Sequence, residues 1–425
     1  MSVRRPSARP LTALAAGLAA GVLGLTCLSA PSQAAPGSGS SSSWTEAAAR
    51  DKARNKQKAK LRRLAKKPVR VMTRNVYLGA NIFRPVNAAQ DALEQGLPLG
   101  EVLDALAHAN DATAAINDRT DFRVRARLLA REIQLTRPDL IGLQEVATWR
   151  HGEIQTALGQ IGVPNATEVD YDFLDLLLAE LKKLGLDYAV THVGQRADVE
   201  APGYAEDGSN RRDLRLTMHD VILHRTSRVK VLGTGNQIYS ENLPVTLAGL
   251  RMNFDRGFQW ADVKIGKLAF RFANTHLESA SSDLALAQAK EMAATVLRPG
   301  RTTVMTCDCN SDPKNSSVKS ADTVPHKAPY EFLTGAGRFA DEWLRYAPAY
   351  LGFTSGGQNE LVNNATAGWT HRIDLILGRR ANGKPLKARR GWMVGTRPAE
   401  RDRATGLWAS DHAGVVLKLK GFGPR

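Results

Sequence analysis

The chain is poor in cysteine and in aromatic residues. Of its three cysteines, Cys27 lies in an apolar leader, and only Cys307 and Cys309 remain, which is too few for a disulfide framework. No CxxC pair is present to bind zinc. Aromatic residues make up 6% of the sequence, and Trp260, Trp343, Trp369, Trp392 and Trp408 are scattered, so no paired exposed aromatics are on offer to a lipid interface. There is also no P-loop, no Ser-centred nucleophile elbow and no internal repeat. P-loop nucleotide hydrolysis, α/β-hydrolase acyl transfer and solenoid architectures are thereby set aside.

The one long apolar run stands at the start. LTALAAGLAAGVLGLTCL follows Arg4, Arg5 and Arg9 and leads to Ser32-Gln33-Ala34, a small-x-small cleavage site. Its Ala- and Gly-rich composition and that site mark residues 1–34 as a signal peptide rather than a membrane span, so a secreted protein is expected. Residues 35–68 read as a flexible Gly/Ser linker, PGSGSSSSWT, running into a basic tail. Residues 46–70 hold eleven Lys or Arg against Glu46 and Asp51, a net of +9, and residues 1–45 add +3. Of the total charge of +16, only +4 is left to residues 71–425. The high isoelectric point therefore describes the tail, 46–70, which is either a solvated spacer or an electrostatic tether to nucleic acid, anionic lipid or a wall polymer.

From residue 69 to 425 the chain is punctuated by six short apolar runs, each with an acid, amide or imidazole at or beside one end. They are PVRVMTRNVYLG (Asn75), RPDLIGLQEV (Glu145), KLAFRFANTHLE (His276), RTTVMTCDCNSDP (Asp308, Asn310), HRIDLILG (Asp374) and SDHAGVVLKL (Asp411, His412). Each has the length and β-branched or aliphatic content of a buried strand. An unpaired buried charge costs several kcal/mol, so six such ends imply one shared polar cluster at the rim of a sheet core. Singly, Asn75 could cap a turn, Asp374 could pair with Arg372, and His276 could be a core histidine; jointly these would need independent coincidences. Amphipathic helix candidates alternate with the runs, which gives one α/β domain. Residues 81–122 read as a helical insertion and 193–215 as a polar loop whose Arg211, Arg212 and Arg215 could bind phosphate. Arg123, Arg125 and Arg127 read as a solvated helix face, and His219 and His224 as structural. Cys307 and Cys309 flank Asp308, so on a strand they point to the opposite face, and they are expected as buried free thiols.

The chemistry of the cluster is oxygen-rich. Glu145, Asn75, Asp308, Asn310 and Asp411 suit a hard divalent ion such as Mg²⁺, Mn²⁺ or Ca²⁺ better than zinc. His276 lies two residues from Glu278, and His412 is adjacent to Asp411; a carboxylate beside an imidazole orients it and raises its basicity. A hard cation with acid–base histidines suits in-line attack of water on a phosphoester.

In their order TRNVYLG, LQEV, NTHLE, CDCNSDP, HRIDLIL and SDH, the motifs resemble the endonuclease/exonuclease/phosphatase superfamily, from about Val69 to Leu419. The resemblance implies a four-layered α/β sandwich of two packed mixed sheets flanked by helices, the DNase I-like fold. It implies Glu145 as principal metal ligand with Asn75, and Asp308 and Asp411 among the ligands. Asp308 and Asn310 would position or deprotonate the attacking water, and His276 and His412 would flank the scissile phosphate. Asp374 would pair with a histidine or orient the phosphate, and Asp411 would orient His412. The family's usual GDFN is CDCN here, which places Cys307 at a glycine position.

The expected activity is that of a secreted, metal-dependent phosphodiesterase, with nucleic acid as substrate, acting as a monomer. The alternatives are a sphingomyelinase or phospholipase C-like enzyme, or a sugar or inositol phosphate phosphatase. From a different class comes a non-catalytic polyanion-binding protein that keeps the fold.

Overall fold

The computed structural model describes residues 49–52, 54–56, 68–155, 157, 160, 162–247, 250–356 and 369–422. The expected signal peptide, the linker and most of the basic tail lie outside them. Among the described residues no helix is long and apolar enough to cross a membrane.

All six apolar runs contain strands, and they divide between two sheets. The first sheet runs β14 (Lys387–Val394), β15 (Gly414–Lys420), β1 (Val69–Asn75), β2 (Leu140–Gly152), β5 (Arg212–Arg225) and β4 (Tyr188–Gly203), with β3 (Glu168–Asp172) added to β2. The second runs β12 (Ala340–Asp341), β13 (Asp374–Arg379), β11 (Thr303–Asp308), β10 (Leu268–His276), β9 (Gly257–Ile265) and β6 (Lys230–Ile238), and β7 (Leu243–Leu247) pairs with β8 (Leu250–Phe254) in a separate hairpin. Each sheet has one parallel pair at its centre, β1 with β2 and β10 with β11, and antiparallel neighbours on both sides. A parallel pair needs a crossover, and both crossovers are helical. Helices α1 (Arg84–Glu94), α2 (Leu99–Arg119) and α3 (Phe122–Thr136) lie between β1 and β2. Helix α5 (Ser282–Val296) lies between β10 and β11, and α4 (Phe173–Lys183) follows β3.

Three apolar interlayers follow from the alternation of side chains along the strands. Val71, Leu140, Ile222, Phe270, Phe272, Val304, Ile376 and Leu417 fill the space between the sheets. The other face of the first sheet packs Ile141, Leu143 and Leu223 against Phe122, Leu129 and Ile133 of α3 and Phe173, Leu177 and Leu181 of α4. The rings of Phe122 and Phe173 stack at 3.7 Å. Ala273, Met305 and Leu375 of the second sheet meet Ala285, Ala289 and Met292 of α5. The result is the expected four-layered sandwich. Each large buried side chain contributes about 1.5–3 kcal/mol, so a one-residue slip of a central strand, which turns its whole set to the wrong interlayer, is strongly disfavoured.

Toward one end the inter-sheet layer turns polar and thin. Gln144 Nε2 donates to Asn274 Oδ1 (2.7 Å), Asn274 Nδ2 donates to the Leu143 carbonyl (2.9 Å), and Thr306 Oγ1 donates to Asn274 Oδ1 (3.0 Å). A Cβ on Gly142 would lie 2.1 Å from Thr306 Oγ1 and 2.2 Å from Asn274 Oδ1, so only glycine lets the sheets approach this closely here.

Two expectations about surface segments change. Residues 193–215 form most of the β4–β5 hairpin and only part of a loop. Their polar character reflects β4 being an edge strand with half-exposed alternate residues, and Arg215 is held by Asp198 at 2.7 Å on the paired strand. Arg125 is fully buried and not on a solvated face: it donates to the carbonyls of Thr120 (2.8 Å) and Val76 (2.6 Å) and lies over the Phe122 ring. Within 81–122, α1 and α2 pack on each other through Ala89, Ala92, Val102 and Leu106, and Asn110 Nδ2 ties α2 to the Ala201 carbonyl of β4 (2.9 Å).

Helix α3 is joined to β1 by a buried bidentate pair, Arg74 Nε and Nη2 to Glu132 Oε2 and Oε1, both at 2.9 Å. Glu132→Ala leaves that guanidinium uncompensated, and urea unfolding should show a loss of about 3–5 kcal/mol. A loss below about 1 kcal/mol would mean that Arg74 is served by solvent.

Candidate active site

The site is built on the C-terminal ends of the two parallel pairs, where ligands gather in open α/β sheets. Asn75 ends β1, His276 ends β10 and Asp308 ends β11. The antiparallel neighbours begin where these strands end, so Asp374 stands opposite Asp308 in register and His412 lies just ahead of β15. In β2 the pairing with β5 slips between Leu143 and Val146, and Glu145 takes a left-handed φ of 61°. A bulge of this kind re-aims one side chain at a cost in local strain. It presents Glu145 to the cluster, where Oε2 accepts from the Leu78 N–H at 3.0 Å.

Asp308 is the hub, 1% exposed. Its Oδ2 accepts from Asn75 Nδ2 at 3.0 Å, a bond between the two sheets, and its Oδ1 accepts from the Asn310 N–H at 3.0 Å. His276 Nε2 lies 3.5 Å from Asp308 Oδ2 and 4.0 Å from Glu145 Oε1. On the other side, His412 Nδ1 binds Asp374 Oδ2 at 2.8 Å and lies 3.8 Å from Asp308 Oδ2. Asn310, with φ 42°, donates through Nδ2 to the Leu277 carbonyl (2.9 Å). The structure thus brings together Asn75, Glu145, His276, Asp308, Asn310, Asp374 and His412. Asp411 sits half-buried beside them.

Their protonation diverges. Burial, then the Arg256 guanidinium and His412, hold His276 well below the ordinary histidine range. Burial would depress His412 as well, but Asp374 and Asp308 outweigh it and hold that imidazole well above the range. Burial and the Asp374 carboxylate raise Asp308. Burial pushes Asp411 up to about 7, against the pull of His412 and with Glu145 adding to the rise. The surroundings therefore push the two histidines about one carboxylate in opposite directions.

Two details depart from expectation and a third adds to it. The carboxylate that orients His412 is Asp374, not Asp411, whose Oδ1 is instead met by Ser410 Oγ at 3.3 Å. Asp411 stands in a bend ahead of β15, and its carboxylate is engaged there rather than at its neighbour's ring. Glu278 binds the N–H groups of Ser279 and Ala280 (both 2.8 Å) and leaves His276 to Arg256. Asn75 Oδ1 accepts from the Tyr77 N–H at 2.9 Å while Nδ2 serves Asp308, so in this structure its amide braces the cluster.

The expectation of free thiols is overturned, because Cys307 and Cys309 are joined in a disulfide with Cα atoms 5.1 Å apart. Both are buried on the face opposite Asp308, among Ala289, Met292 and Leu333, as the strand alternation requires. The spacing argument assumed an extended strand, in which alternate Cα atoms lie about 6.6 Å apart. The chain bends at Asp308 and closes that gap.

Sequence reasoning missed Arg256, whose Nη1 meets His276 Nδ1 at 2.9 Å. It also missed Thr354, whose Oγ1 accepts from the Asp374 N–H at 3.1 Å. Neither has a local signal, since each is defined by a partner across the sheet edge. Arg372 pairs with Asp341 (2.7 Å), which leaves Asp374 to His412. His219 and His224 bind Val146 O and Thr191 Oγ1 and are structural, as expected. Arg211 lies over Tyr204, and Arg212 is 3.9 Å from Asp111.

Glu145, His276 and Asp308 each offer one atom, all within 4.8 Å of one another. Arg256 can only donate, so His276 Nδ1 must accept and its proton must sit on Nε2, which removes Nε2 as a ligand. The carboxylates of Glu145 and Asp308 are left as the pair that fits a hard divalent ion.

No protein-family model matches the sequence, and no curated protein matches it. Solved structures do. The endonuclease/exonuclease/phosphatase from Bacteroides vulgatus matches with a TM-score of 0.49 at 16% identity, over 84% of this chain and 99% of that one. The mannosyl-6-phosphatase of Bacteroides thetaiotaomicron VPI-5482 matches with a TM-score of 0.45 at 16% identity, over 83% and 99%. D. rerio TDP2, complexed with single strand DNA product, matches with a TM-score of 0.43 at 15% identity, over 83% and 99%. In fold the chain is similar to members of the endonuclease/exonuclease/phosphatase family.

Because Asp374 is what raises His412, Asp374→Asn should lower the His412 pKa, read by NMR titration of its ring protons. In the wild type the stabilisation from protonated His412 is full below the ordinary histidine value of about 6.5 and is lost as pH rises through the raised one. In Asp374→Asn that pH-dependent contribution should shrink; an unmoved titration would sink the assignment.

Proposed function

We propose that the protein is a divalent-metal-dependent phosphodiesterase that hydrolyses nucleic acid. The observation that carries this reading is the convergence of His276 and His412 on Asp308, beside Glu145, in surroundings that lower one imidazole and raise the other. Environments that push two titratable groups apart assign acid and base roles. Bound at Glu145 and Asp308, a cation such as Mg²⁺, Mn²⁺ or Ca²⁺ would neutralise phosphoryl charge.

The protein's own groups do the rest. Asp308, oriented by Asn75 and the Asn310 N–H, takes a proton from water as the water oxygen attacks phosphorus and the bond to the leaving oxygen breaks. With Nδ1 committed to Asp374, His412 offers Nε2–H to the phosphate or the leaving oxygen. His276 donates from Nε2–H, its tautomer set by Arg256.

Nucleic acid is favoured as substrate by the net +9 of residues 46–70, which would make affinity for a polyanion strong and salt-sensitive. The leader and its cleavage site support export, and the Cys307–Cys309 disulfide suits an oxidising compartment.

Supercoiled plasmid with Mg²⁺ or Mn²⁺ is the direct test. Nicking should stop on chelation, and His412→Ala or Asp308→Ala should cost about 10²–10⁴ in rate. A folded protein that leaves plasmid intact but hydrolyses sphingomyelin or a sugar phosphate would replace the substrate. One whose activity survives both chelation and His412→Ala would sink the mechanism.

A further inference from the structure

The Cys307–Cys309 bridge encloses the hub of the site, and its placement is unusual for a staple. It joins residues two apart, so the closed loop holds only Asp308 between the cysteines. Loop-closure stabilisation grows with loop length, and this loop is near the minimum. The bridge therefore does little for the fold at large. Its effect is local, and the local geometry is telling.

Strand β11 pairs with β13 through Cys307 and Asp308, and Cys309 then donates its N–H to the Ile373 carbonyl at 2.9 Å. With the flanking Cα atoms drawn to 5.1 Å, the backbone is folded about Asp308, and Asn310 enters its left-handed turn immediately after. That turn lets the Asn310 N–H reach Asp308 Oδ1 and Asn310 Nδ2 reach the Leu277 carbonyl. Both sulfurs are buried behind the sheet, so the bridge pulls from one face while the carboxylate projects from the other.

We propose that the Cys307–Cys309 disulfide is a positioning element that holds Asp308 and Asn310 in their working geometry, so that the site is complete only in the oxidised protein. The inference rests on the hydrolase reading for what the site does, but not for the geometry. Formation joins two sulfurs with loss of two electrons and two protons to an oxidant such as a disulfide of the export compartment. Dithiothreitol reverses it, yielding two thiols and its own cyclic disulfide.

The test compares the bridged full chain with Cys307→Ala/Cys309→Ala and with wild type refolded in dithiothreitol, which keeps every side chain. Peptide mass reports the bridge as a loss of two hydrogens. Mn²⁺ binding by calorimetry, kcat and KM on bis(p-nitrophenyl) phosphate, and Tm are then measured. Both unbridged forms should bind Mn²⁺ about tenfold more weakly and lose about 10–100-fold in kcat, with KM little changed. Their Tm should fall by no more than about 5 °C.

Bridge-dependent Mn²⁺ binding by an inactive wild type would sink the hydrolase and leave the positioning role standing. The positioning role is overturned if 307–309 carries free thiols in the native protein, or if reduced wild type keeps kcat and Mn²⁺ affinity within about twofold. Failure of the reduced form to refold, or a Tm loss much larger than stated, would make the pair a structural staple and overturn it equally. A wild type that neither binds Mn²⁺ nor hydrolyses anything overturns both readings.

Discussion

A carboxylate taken out of water must be met by donors, and Asp308, 1% exposed, is met from every side. Asn75 reaches it from one sheet and the Asn310 N–H from its own turn, while the imidazoles of His276 and His412 stand 3.5 and 3.8 Å away on either side. Those donors can converge only if the two sheets approach closely at that end. The approach depends on Gly142 and on the Gln144–Asn274–Thr306 network replacing the bulkier apolar filling found further along. The apolar interlayer sets strand register, the polar one sets the distance between sheets, and Asp308 lies where both conditions hold.

Buried arginines extend this arrangement outward. Arg74 binds Glu132 on α3 and also donates to the His412 carbonyl, so a helix, a central strand and the segment carrying His412 share one side chain. Arg125 closes the β1 end by donating to Val76 O and Tyr77 O. Arg196, paired with Asp220 at 2.9 Å, donates to Gln259 Oε1 at 3.2 Å and links the two sheets a second time. Guanidinium suits this task because its planar fork satisfies several carbonyls and a carboxylate together and keeps its charge when buried. Arg256 applies the same property inside the polar cluster. By donating to His276 Nδ1 it fixes the tautomer and helps keep that ring neutral, while Asp374 does the reverse to His412.

Legibility in the sequence varied with the range of the interaction. Strand runs such as VRVMTRN and LAFRFANTH were readable because hydrophobic alternation is local, and their polar ends flagged Asn75 and His276. The helices of 81–122 were readable for the same reason. Residues 193–215 misled because an edge strand needs no apolar face toward solvent, so its composition imitates a loop. Arg125 misled because a charged residue within an amphipathic helix reads as solvated until the carbonyls of β1 are placed against it.

What the sequence by itself determined was the list of strand-end groups, their order and the charge of the tail, all properties of neighbours along the chain. What only the tertiary structure decided was who pairs with whom. Asn75 and Asp308 are 233 residues apart, His412 and Asp374 are 38 apart, and each contact exists only in one register and at one sheet separation. Asp411 stands next to His412 in sequence, yet Asp374, brought in by β13 of the other sheet, holds the ring. The bridge across Asp308 belongs with these, because only the folded backbone shows the cysteine Cα atoms drawn to 5.1 Å beside the left-handed turn at Asn310.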